Sequence, residues 1–341
     1  MKIFVTGIAG YLGSTFAYES LKLGYSVAGV DNFSNSTEIN IERLKKFKKD
    51  KIVFREMNIA ESKNDLTYFL KEVQPDVVVH FASLKSVSES EINPIKYWKN
   101  NLNSSVNIID SMLKCNLKKI IFSSSATIYG HSTVQPINES QPFNPISTYG
   151  STKIAIEYFL NDVSKSGFID CISLRYFNPI GTHKDKVIFE DIQNTPQNLM
   201  PRIIRVALGI EKVIKVYGSD YTTKDGTAER DYIHVQDLMT GHFAAIEKIN
   251  NFKGFKGFNL GTGKSVSVIN LIKTFNKVNG LDVPYELHDR RKGDVEICYA
   301  DPNSAKKHLD WQCNKSLESM CRDSWAPYAD IKGEKNENNR S

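Results

Sequence analysis

The feature that most limits the fold of this chain is a glycine-rich loop near its beginning. The residues "TGIAGYLG" follow the apolar stretch "KIFVT" and open a segment with helical spacing, and they contain Gly7, Gly10 and Gly13. Glycines let the backbone turn tightly and approach a pyrophosphate, which then lies at the N-terminus of the helix. A glycine triplet alone is a weak signal, but a strand before it and a helix after it are the required context. The loop therefore predicts a dinucleotide-binding site.

A carboxylate follows at the distance that a dinucleotide needs. Asp31 ends the next apolar stretch, "SVAGVD", 18 residues after Gly13. An acidic residue about 20 residues beyond such a loop binds the ribose hydroxyls, and its charge repels the additional phosphate of NADP. A simple turn or cap role for Asp31 is the weaker interpretation, given the loop. We therefore predict NAD as the cofactor.

Strand and helix patterns alternate through the first half of the chain. Strands are predicted at 2–6, 26–31, 52–56, 76–82, 118–124 and 170–178, and helices at 11–24, 101–115 and 147–167. Strands separated by helices of this length imply βαβ units and a parallel sheet, and right-handed crossovers place helices on both faces. The predicted fold class is α/β, a doubly wound parallel sheet of the Rossmann type.

The second half is less regular and predicts a smaller C-terminal α/β domain for the substrate. Its candidate helices lie at 198–209, 235–249 and 265–280, and its candidate strands at 230–235, 257–261 and 283–289. We assign 1–180 to the NAD-binding domain, 181–331 to the second domain, and the polar end at 332–341 to a flexible tail. Segments near 230–262 remain free to rejoin the first domain. A ligand is expected between the two parts.

The composition favours a globular protein of a reducing compartment. Of 341 residues, 40% are apolar and 24% charged, which is ordinary for a soluble protein, and no apolar run approaches the roughly 20 residues that span a bilayer. The start "MKIFVTG" has no extended apolar core and is no signal peptide. Five cysteines show neither paired nor metal-like spacing: Cys115, Cys171, Cys298, Cys313 and Cys321. We expect a cytoplasmic protein with free thiols, no metal and no membrane partner.

A basic run, "KKFKKDK" at 45–51, has two interpretations. It could form part of a nucleic-acid-binding patch, or it could be the solvated end of a helix and the loop that follows. The formal net charge of the chain is only +5, and we favour the solvated helix end. No nucleic-acid partner is therefore expected.

The segment "YGSTK" carries the residues with the clearest chemical potential. It places Tyr149 and Lys153 at i and i+4, one turn apart on the same face of a helix. A cation there favours the tyrosinate, so we expect the pKa of Tyr149 to fall towards neutrality and the phenol to act as a general base. Ser125, in "SSSATIYG" after a predicted strand, can hydrogen-bond the same substrate hydroxyl. A plain surface pair on a helix is the alternative, and the glycine loop upstream favours chemistry.

With these motifs the chain resembles the extended short-chain dehydrogenase/reductases. More narrowly, it resembles the UDP-glucose 4-epimerases, also called UDP-galactose 4-epimerases. The resemblance covers nearly the whole sequence, from "VTGIAGYLGS" to "LDW". The matching segments include "VDNFSNS", "HFASLKSVSES", "FSSSATIYG", "STYGSTK", "LRYFNPIG", "NLMP", "DGTAERDYIHVQDL", "NLGTG" and "RRKGD". Together these segments are far more specific than any one motif.

The resemblance implies an NAD-dependent isomerase that acts on a UDP-sugar through a transient 4-keto sugar, and it implies a homodimer. Ser125, Tyr149 and Lys153 are the implied catalytic residues. The implied cofactor-binding residues are Gly7, Gly10, Tyr11, Leu12, Gly13, Asp31, Asn32, Ser36, Asn58, Ile59, Phe81, Ala82, Lys85, Asn100 and Phe177. The implied substrate-binding residues are Asn178, Asn198, Leu199, Tyr217, Arg230, Arg291, Asp294 and Cys298.

Two positions depart from the family pattern. Asn58 replaces an acidic residue that often contacts adenine, and asparagine can still donate and accept hydrogen bonds. Cys298 stands where some members have a bulky tyrosine that closes the sugar pocket. A smaller side chain leaves room for a 2-acetamido group, so UDP-GlcNAc and UDP-GalNAc are candidate substrates beside UDP-glucose and UDP-galactose. Neighbouring side chains that fill the space are the alternative.

Two other functions are compatible with parts of the sequence. A nucleotide-sugar 4,6-dehydratase shares the fold but needs a carboxylate pair after the threonine of the strand-end motif, and here Ile128 follows Thr127. A non-catalytic NAD-binding protein would keep Gly7 and Asp31 but would need neither Tyr149 nor Lys153. We favour the 4-epimerase. The preferred UDP-sugar, the oligomeric state and the pathway stay open.

Overall fold

The structure of the protein is a computed structural model that describes residues 1–132, 134–192, 198–291 and 293–338, with side chains described up to residue 330. Its strands are β1 (Lys2–Thr6), β2 (Ser26–Asp31), β3 (Ile52–Glu56), β4 (Val77–His80), β5 (Lys119–Ser125), β6 (Asp170–Tyr176), β7 (Asn178–Ile180), β8 (Ile214–Tyr217), β9 (Glu229–Arg230), β10 (Tyr232–His234), β11 (Phe255–Leu260), β12 (Val266–Ser267), β13 (Tyr285–His288) and β14 (Ile297–Cys298). Its helices are α1 (Tyr11–Lys22), α2 (Ile39–Lys48), α3 (Lys63–Val73), α4 (Val87–Ile92), α5 (Pro94–Lys114), α6 (Thr148–Lys165), α7 (Leu199–Ala207), α8 (Val235–Lys248), α9 (Val268–Asn279), α10 (Asn303–Leu309) and α11 (Leu317–Asn338).

Seven parallel strands form the central sheet in the order β11-β6-β5-β4-β1-β2-β3. The central strands are buried on both faces, as their continuous apolar sequences require, and Val78 and Val79 of β4 are fully buried. The chain moves outward from β1 to β3 and then returns to the other side of β1 with β4. The loops diverge at this reversal and leave a crevice at the carboxyl ends of the strands. The predicted doubly wound α/β fold is confirmed.

Helices cover both faces of the sheet and form two cores with it. On one face, α1, α2, α8 and α10 pack around residues such as Phe16 and Leu238. On the other face, α3, α5 and α6 pack around residues such as Phe69 and Ile108. The amphipathic spacing of these helices positions the loops at the carboxyl ends of the strands, where ligands of this fold class bind.

The second half builds a core of its own. Helices α7, α9 and α11 pack against the two-stranded sheet of β8 and β13 around residues such as Ile203, Phe275 and Trp325. Two further small sheets, β10-β7 and β12-β9-β14, connect this core to the large sheet. These short strands supply backbone positions for several residues of the site described below.

One segment of the second half returns to the central sheet. Strand β11 pairs with β6 from Phe255↔Cys171 to Leu260↔Tyr176, and α8 packs on the sheet beside α1. The chain between β6 and β11 therefore contributes to both cores, in the region near 230–262 that the sequence analysis left open. The division at residue 180 stays a prediction.

The tail predicted from residue 332 begins inside α11, which continues through Asn338, and residues 339–341 lie outside the described range. Flexibility of the tail stays a prediction. The basic run at 45–51 forms the end of α2 and a short 3-10 turn. This agrees with the favoured interpretation of the run as a helix end and the loop that follows it. Within the described ranges, no helix combines the length and the apolar character needed to cross a membrane. All five cysteines are free thiols.

Candidate active site

A cavity of about 610 Å³ lies at the carboxyl ends of the strands, between the central sheet and the core of the second half. Every residue that the sequence analysis predicted for the site lines this cavity, with the exception of Ser36. The walls also contain polar residues that were not predicted, among them Ser123, Ser124, Tyr176 and Glu190. The structure therefore brings the predicted dinucleotide end and the predicted sugar end into one continuous space.

The glycine loop has no room for side chains. Gly7 has a φ of +69°, and a Cβ there would lie 2.9 Å from the Ala82 nitrogen. A Cβ on Gly13 would lie 2.0 Å from the Gly7 oxygen. Helix α1 starts at Tyr11, and the residues of its first turn line the cavity. The N-terminus of a helix stabilises a bound anion. The loop has the shape and polarity of a pyrophosphate cradle.

Asp31 is held in place at the end of β2. Its Oδ2 accepts a hydrogen bond from the Ala9 N–H at 2.9 Å, and its Oδ1 accepts from the Phe33 N–H at 3.0 Å. The Ser36 hydroxyl donates to the same Oδ1 at 2.9 Å. Ser36 was predicted on the adenosine ribose side, but its side chain lies against Asp31 rather than on the cavity wall. The role predicted for Ser36 on the ribose side stays a prediction.

Three other predicted cofactor residues have partners within the protein. The Asn58 side-chain oxygen accepts from the Ala60 N–H at 3.2 Å, and Asn58 lines the cavity. Asn100 donates to the Asn101 side chain at 3.1 Å. Lys85 reaches across the cavity mouth to Glu190 of the second half, with 3.5 Å between Nζ and Oε1. The cavity wall is therefore closed by contacts from both halves.

The three predicted catalytic residues meet at one end of the cavity. Ser125 ends β5, and its Oγ accepts from the Thr127 N–H at 3.2 Å. Tyr149 is the second residue of α6, whose N-terminus is capped by the Ser147 hydroxyl. Lys153 is buried, donates to the Ser123 backbone oxygen at 2.8 Å and lies 5.6 Å from the centre of the Tyr149 ring. The predicted shared helix face is therefore present.

The predicted fall in the pKa of Tyr149 is wrong. Burial raises the pKa of Tyr149 to about 12, against a hydrogen bond with Ser125 that lowers it. Burial also lowers the pKa of Lys153 to about 7, and the nearby charge of Glu157 opposes this change. The sequence argument counted the attraction between two charges but not the cost of removing each from water.

The far end of the cavity carries two arginines. Arg230 is anchored through a 2.6 Å ion pair with Asp294 and a hydrogen bond to the Glu229 backbone oxygen at 2.8 Å. The Arg291 guanidinium lies 3.8 Å from the centre of the Tyr217 ring, in a stacked arrangement that orients it. Both guanidinium groups line the cavity and suit bidentate binding of phosphate. The predicted substrate residues Asn178, Asn198 and Leu199 line the same wall.

Cys298 lies between the arginine end and the catalytic end. Strand β14 pairs with β9 so that Cys298 is opposite Arg230. Its side chain is half-buried and packs against the cluster that contains Ala126, Phe177 and Ala300. Burial raises the pKa of the Cys298 thiol to about 11. The residue is therefore a small, neutral part of the pocket wall.

The sequence analysis missed polar groups on the wall that the structure reveals. Ser124 is buried, and within the described residues its Oγ has no hydrogen-bond partner, although it lines the cavity. A buried hydroxyl of this kind indicates a ligand that supplies the partner. Tyr176 ends β6 beside Ser125. The run of three serines was the only signal for Ser124, and nothing in the sequence distinguished Tyr176 from other strand residues.

The comparisons with known proteins agree with this geometry. Residues 3–261 match the model of the NAD dependent epimerase/dehydratase family, which confirms the cofactor predicted from the glycine loop and Asp31. The UDP-glucose 4-epimerase of Bacillus subtilis is 44% identical over 326 residues, which are 95% of this chain and 96% of that protein.

Solved structures show the same likeness. The UDP-glucose 4-epimerase from Stenotrophomonas maltophila, with bound NAD and formylated UDP-arabinopyranose, has a TM-score of 0.93 at 37% identity and covers 98% of this chain and 99% of its own. The UDP-glucose 4-epimerase from Bifidobacterium longum, in complex with NAD⁺ and UDP, has a TM-score of 0.92 at 39% identity. The match covers 97% of this chain and 98% of that chain. With matches across nearly the full length of each protein, the chain belongs to the UDP-glucose 4-epimerases of the NAD-dependent epimerase/dehydratase family.

Proposed function

We propose that the protein interconverts UDP-glucose and UDP-galactose by epimerisation at carbon 4, with NAD as a bound cofactor. The observation that carries this proposal is the position of Ser125, Tyr149 and Lys153 in the same cavity as the glycine loop and Arg230. A dinucleotide site, a proton-transfer group and a diphosphate site in one space are what reversible oxidation of a UDP-sugar requires. The activity named for the relatives supports the same assignment.

The residues at the reacting end divide the proton transfer between them. Tyr149 removes the proton of the 4-hydroxyl and returns it after the sugar has turned, while Ser125 hydrogen-bonds the same oxygen. The phenolate is favoured by the charge of Lys153 and by the position of Tyr149 in the first turn of α6, where the helix dipole is positive. A hydrogen bond with Ser125 also favours the phenolate. Because burial opposes ionisation, the base is strongest when these three contributions act together.

The cavity fits NAD through groups that the structure describes. The glycine loop with Tyr11 and Leu12 holds the pyrophosphate, Asp31 holds the adenosine ribose, and the unpartnered Ser124 hydroxyl is free for the bound cofactor. When bound, NAD supplies a positively charged ring and the site that takes a hydride from carbon 4 and gives it back to the opposite face. The net redox change is zero, so the cofactor can remain bound through many turnovers.

The substrate is held by its UDP portion while the 4-keto sugar turns over. Arg230 and Arg291 bind the diphosphate, and Asp294 keeps Arg230 in place through their 2.6 Å ion pair. Tyr217 supplies an aromatic surface beside Arg291 for the uracil ring. Firm binding at the diphosphate and weak binding at the sugar let the same pocket present either face of the sugar for chemistry.

A broader substrate range follows from the size of Cys298. A tyrosine at this position would fill the space beside Phe177 and Ala300, whereas a cysteine leaves it open for a 2-acetamido group. We expect turnover of UDP-N-acetylglucosamine, and we expect Cys298→Tyr to remove it while UDP-galactose turnover continues. A panel of hexose, N-acetylhexosamine and uronic acid forms of UDP tests this. Absence of UDP-N-acetylglucosamine turnover in the parent protein would disprove the size argument.

One incubation separates the proposed function from its alternatives. With UDP-galactose as the only substrate, the 4-epimerase yields UDP-glucose, a 4,6-dehydratase yields a stable 4-keto-6-deoxy sugar, and a non-catalytic NAD-binding protein yields neither. Chromatography of the products with mass detection distinguishes the three outcomes. Only the appearance of UDP-glucose, at a rate proportional to the protein concentration, supports the proposal.

We further propose a homodimer formed through α5 and α6. These helices pack side by side, and both expose large apolar side chains, with Ile95 at 69%, Trp98 at 37% and Tyr158 at 56% exposure. Exposed apolar side chains on adjacent helices are candidates for an interface. Sedimentation should show a dimer for the parent and a monomer for Trp98→Glu, while Tyr68→Glu on α3, also exposed, stays dimeric. A monomeric parent would refute the proposal.

The cytoplasm is the proposed compartment. The support is the free state of all five cysteines, which a reducing environment maintains. Fractionation of the source cells, with the protein detected by an antibody, checks this, and recovery outside the cytoplasmic fraction would contradict it.

A further inference from the structure

Tyr176 and His242 form a buried pair beneath the catalytic end of the cavity. Tyr176 is the last residue of β6, pairs in register with Ser125 of β5, and lines the cavity. Its hydroxyl is hydrogen-bonded to Nε2 of His242 on α8. The chemistry described above uses neither residue, although Tyr176 stands beside two of the groups that carry it out.

The direction of this hydrogen bond follows from the other side of the imidazole. Nδ1 of His242 lies 2.9 Å from the Leu238 backbone oxygen, and a carbonyl oxygen only accepts, so Nδ1 carries the proton. Burial lowers the pKa of His242 to about 4, so the ring is neutral at working pH. Nε2 therefore has a free lone pair, and the Tyr176 hydroxyl donates its proton to it.

The imidazole has no freedom to reverse this arrangement. His242 is fully buried, and its ring contacts the rings of Phe16, Phe81 and Tyr176 at 5.5, 4.9 and 5.3 Å between centroids. Tyr176 is the one titratable side chain that the structure shows in contact with the ring within the described residues. The apolar neighbours on α1 and after β4 offer no other hydrogen-bond partner.

Tyr176 and Tyr149 are two phenols at the same end of the cavity. Burial raises the pKa of Tyr176 well above its usual range, a hydrogen bond with Ser123 lowers it, and a charge on Tyr149 raises it again. With its proton directed to His242, Tyr176 stays neutral while Tyr149 ionises. Tyr176 lines the cavity, and with its proton directed to His242 its oxygen can only accept further hydrogen bonds.

We propose that His242 is a positioning residue for the reaction, which orients the Tyr176 hydroxyl so that its oxygen accepts a hydrogen bond from the amide N–H₂ of the nicotinamide carboxamide. This inference rests on the proposed function for its place at the reacting end. The carboxamide is the donor on the nicotinamide ring, so an acceptor fixed beside Ser125 holds the ring at the angle that the sugar needs. His242 acts through Tyr176 and touches neither substrate nor cofactor.

The test measures the release of NAD from the purified holoenzyme and, separately, kcat and KM for UDP-galactose. In His242→Phe the Tyr176 proton loses its acceptor and turns towards the cavity, so NAD release becomes about tenfold faster, the size expected when a buried hydrogen bond is lost. kcat falls by a similar factor, and KM for UDP-galactose stays within about twofold. In His242→Gln the side-chain oxygen accepts the hydrogen bond from Tyr176. The rate of NAD release and kcat then return to within about threefold of the parent values.

Two further variants separate this role from packing. Tyr176→Phe removes the acceptor and should accelerate NAD release as His242→Phe does, and the double variant should be no worse than Tyr176→Phe alone, since the two residues act as one unit. Phe243→Leu removes the neighbouring ring of α8, stacked 5.0 Å from Phe16, without touching Tyr176. It should lower the melting temperature and leave NAD release unchanged.

Several results would overturn the inference. Unchanged NAD release in Tyr176→Phe refutes it, whether or not His242→Phe folds. Equal effects of Phe243→Leu and His242→Phe, or no recovery in His242→Gln, assign His242 to packing alone. Because NAD release is measured without a sugar, a parent protein that holds NAD but does not epimerise UDP-galactose refutes the proposed function and leaves this test intact.

Discussion

Tyr149 has to ionise in a place where burial alone would prevent it. Burial raises its pKa to about 12, whereas Lys153, Ser125 and the N-terminus of α6 favour the phenolate. The reactivity of the phenol thus depends on groups that lie within a few ångströms of it. Two predictions at the scale of single residues follow from this balance.

Tyr149→Phe should lower kcat by about 10²–10⁴-fold, because it removes the proton acceptor and keeps the ring. The NAD content of the purified protein should not change, since the glycine loop and Asp31 are intact. The assay couples UDP-glucose formation from UDP-galactose to a dehydrogenase. Tyr68→Phe, an exposed tyrosine on α3, is the control, and full activity of Tyr149→Phe would remove the base assignment.

Lys153→Met should change the pH dependence of the reaction as well as its rate. Burial lowers the pKa of Lys153 to about 7, but an ionised phenol beside it stabilises the ammonium in turn. Removal of Lys153 therefore raises the pKa of Tyr149, so a smaller fraction of the phenol is ionised at any given pH and the rising limb of kcat moves to higher pH. kcat measured from pH 6 to 10 reports this displacement. Lys165→Met, with 67% of its side chain exposed in the last turn of α6, should match the parent. An unmoved limb would mean that Lys153 has no electrostatic role.

Single residues show where the sequence was informative and where it was not. The spacing of Tyr149 and Lys153 predicted their shared face because helical periodicity is local. The pKa of Tyr149 could not be predicted, because its burial depends on strands and helices distant in sequence. Tyr176 and His242, 66 residues apart, meet only because β6 and α8 belong to one folded core.

At the scale of elements, two glycines of the glycine loop should respond differently to replacement by alanine. Gly13→Ala would place a Cβ 2.0 Å from the Gly7 oxygen, so the loop must move and NAD binding should be lost together with stability. Gly10 has a φ of −67°, and a Cβ there would lie 3.4 Å from the same oxygen, so Gly10→Ala should fold with near-parental stability.

The same Cβ on residue 10 would stand between the backbone and the pyrophosphate, so Gly10→Ala should still bind NAD more weakly. Chemical unfolding followed by fluorescence gives the stability, and titration of the NAD-free protein gives the affinity. Equal behaviour of the two variants in both measurements would contradict this account of the loop.

The strands of the central sheet were predicted within a few residues because each is an apolar run between turn signals. Helices α3, α4, α10 and α11 were missed. The six residues of α4 carry too little apolar periodicity, and α5 begins at Pro94, seven residues before the predicted start. The two-residue strands β9, β12 and β14 also escaped prediction. Such strands exist only through their partners, so local sequence cannot reveal them.

At the scale of the whole molecule, buried neutral histidines should make the protein sensitive to acid. Burial lowers the pKa of His80 to about 3 and that of His242 to about 4. Because the unfolded chain binds both protons near pH 6.5 and the native state does not, stability is present above that pH and is lost as the pH falls towards 4.

Between about pH 6 and 4.5 these two groups should lower the free energy of unfolding by about 2.7 kcal/mol per pH unit, and His242→Gln should halve their contribution. Urea unfolding at several pH values, with parent and variant compared, measures the difference between the slopes. The comparison cancels the contribution of the carboxylates common to both proteins. Identical slopes would show that His242 is protonated in the native state.

The return of β11 to the central sheet has a consequence for how the protein is made. A nascent chain that has left the ribosome as far as residue 180 has six of the seven strands of the sheet, but the edge of β6 is bare and α8 is absent from its face. Unpaired edges of this kind recruit other chains. Synthesis must proceed past residue 260 before the sheet can close, so a stop codon or a long translational pause between these points should yield an aggregating fragment rather than a working cofactor-binding half.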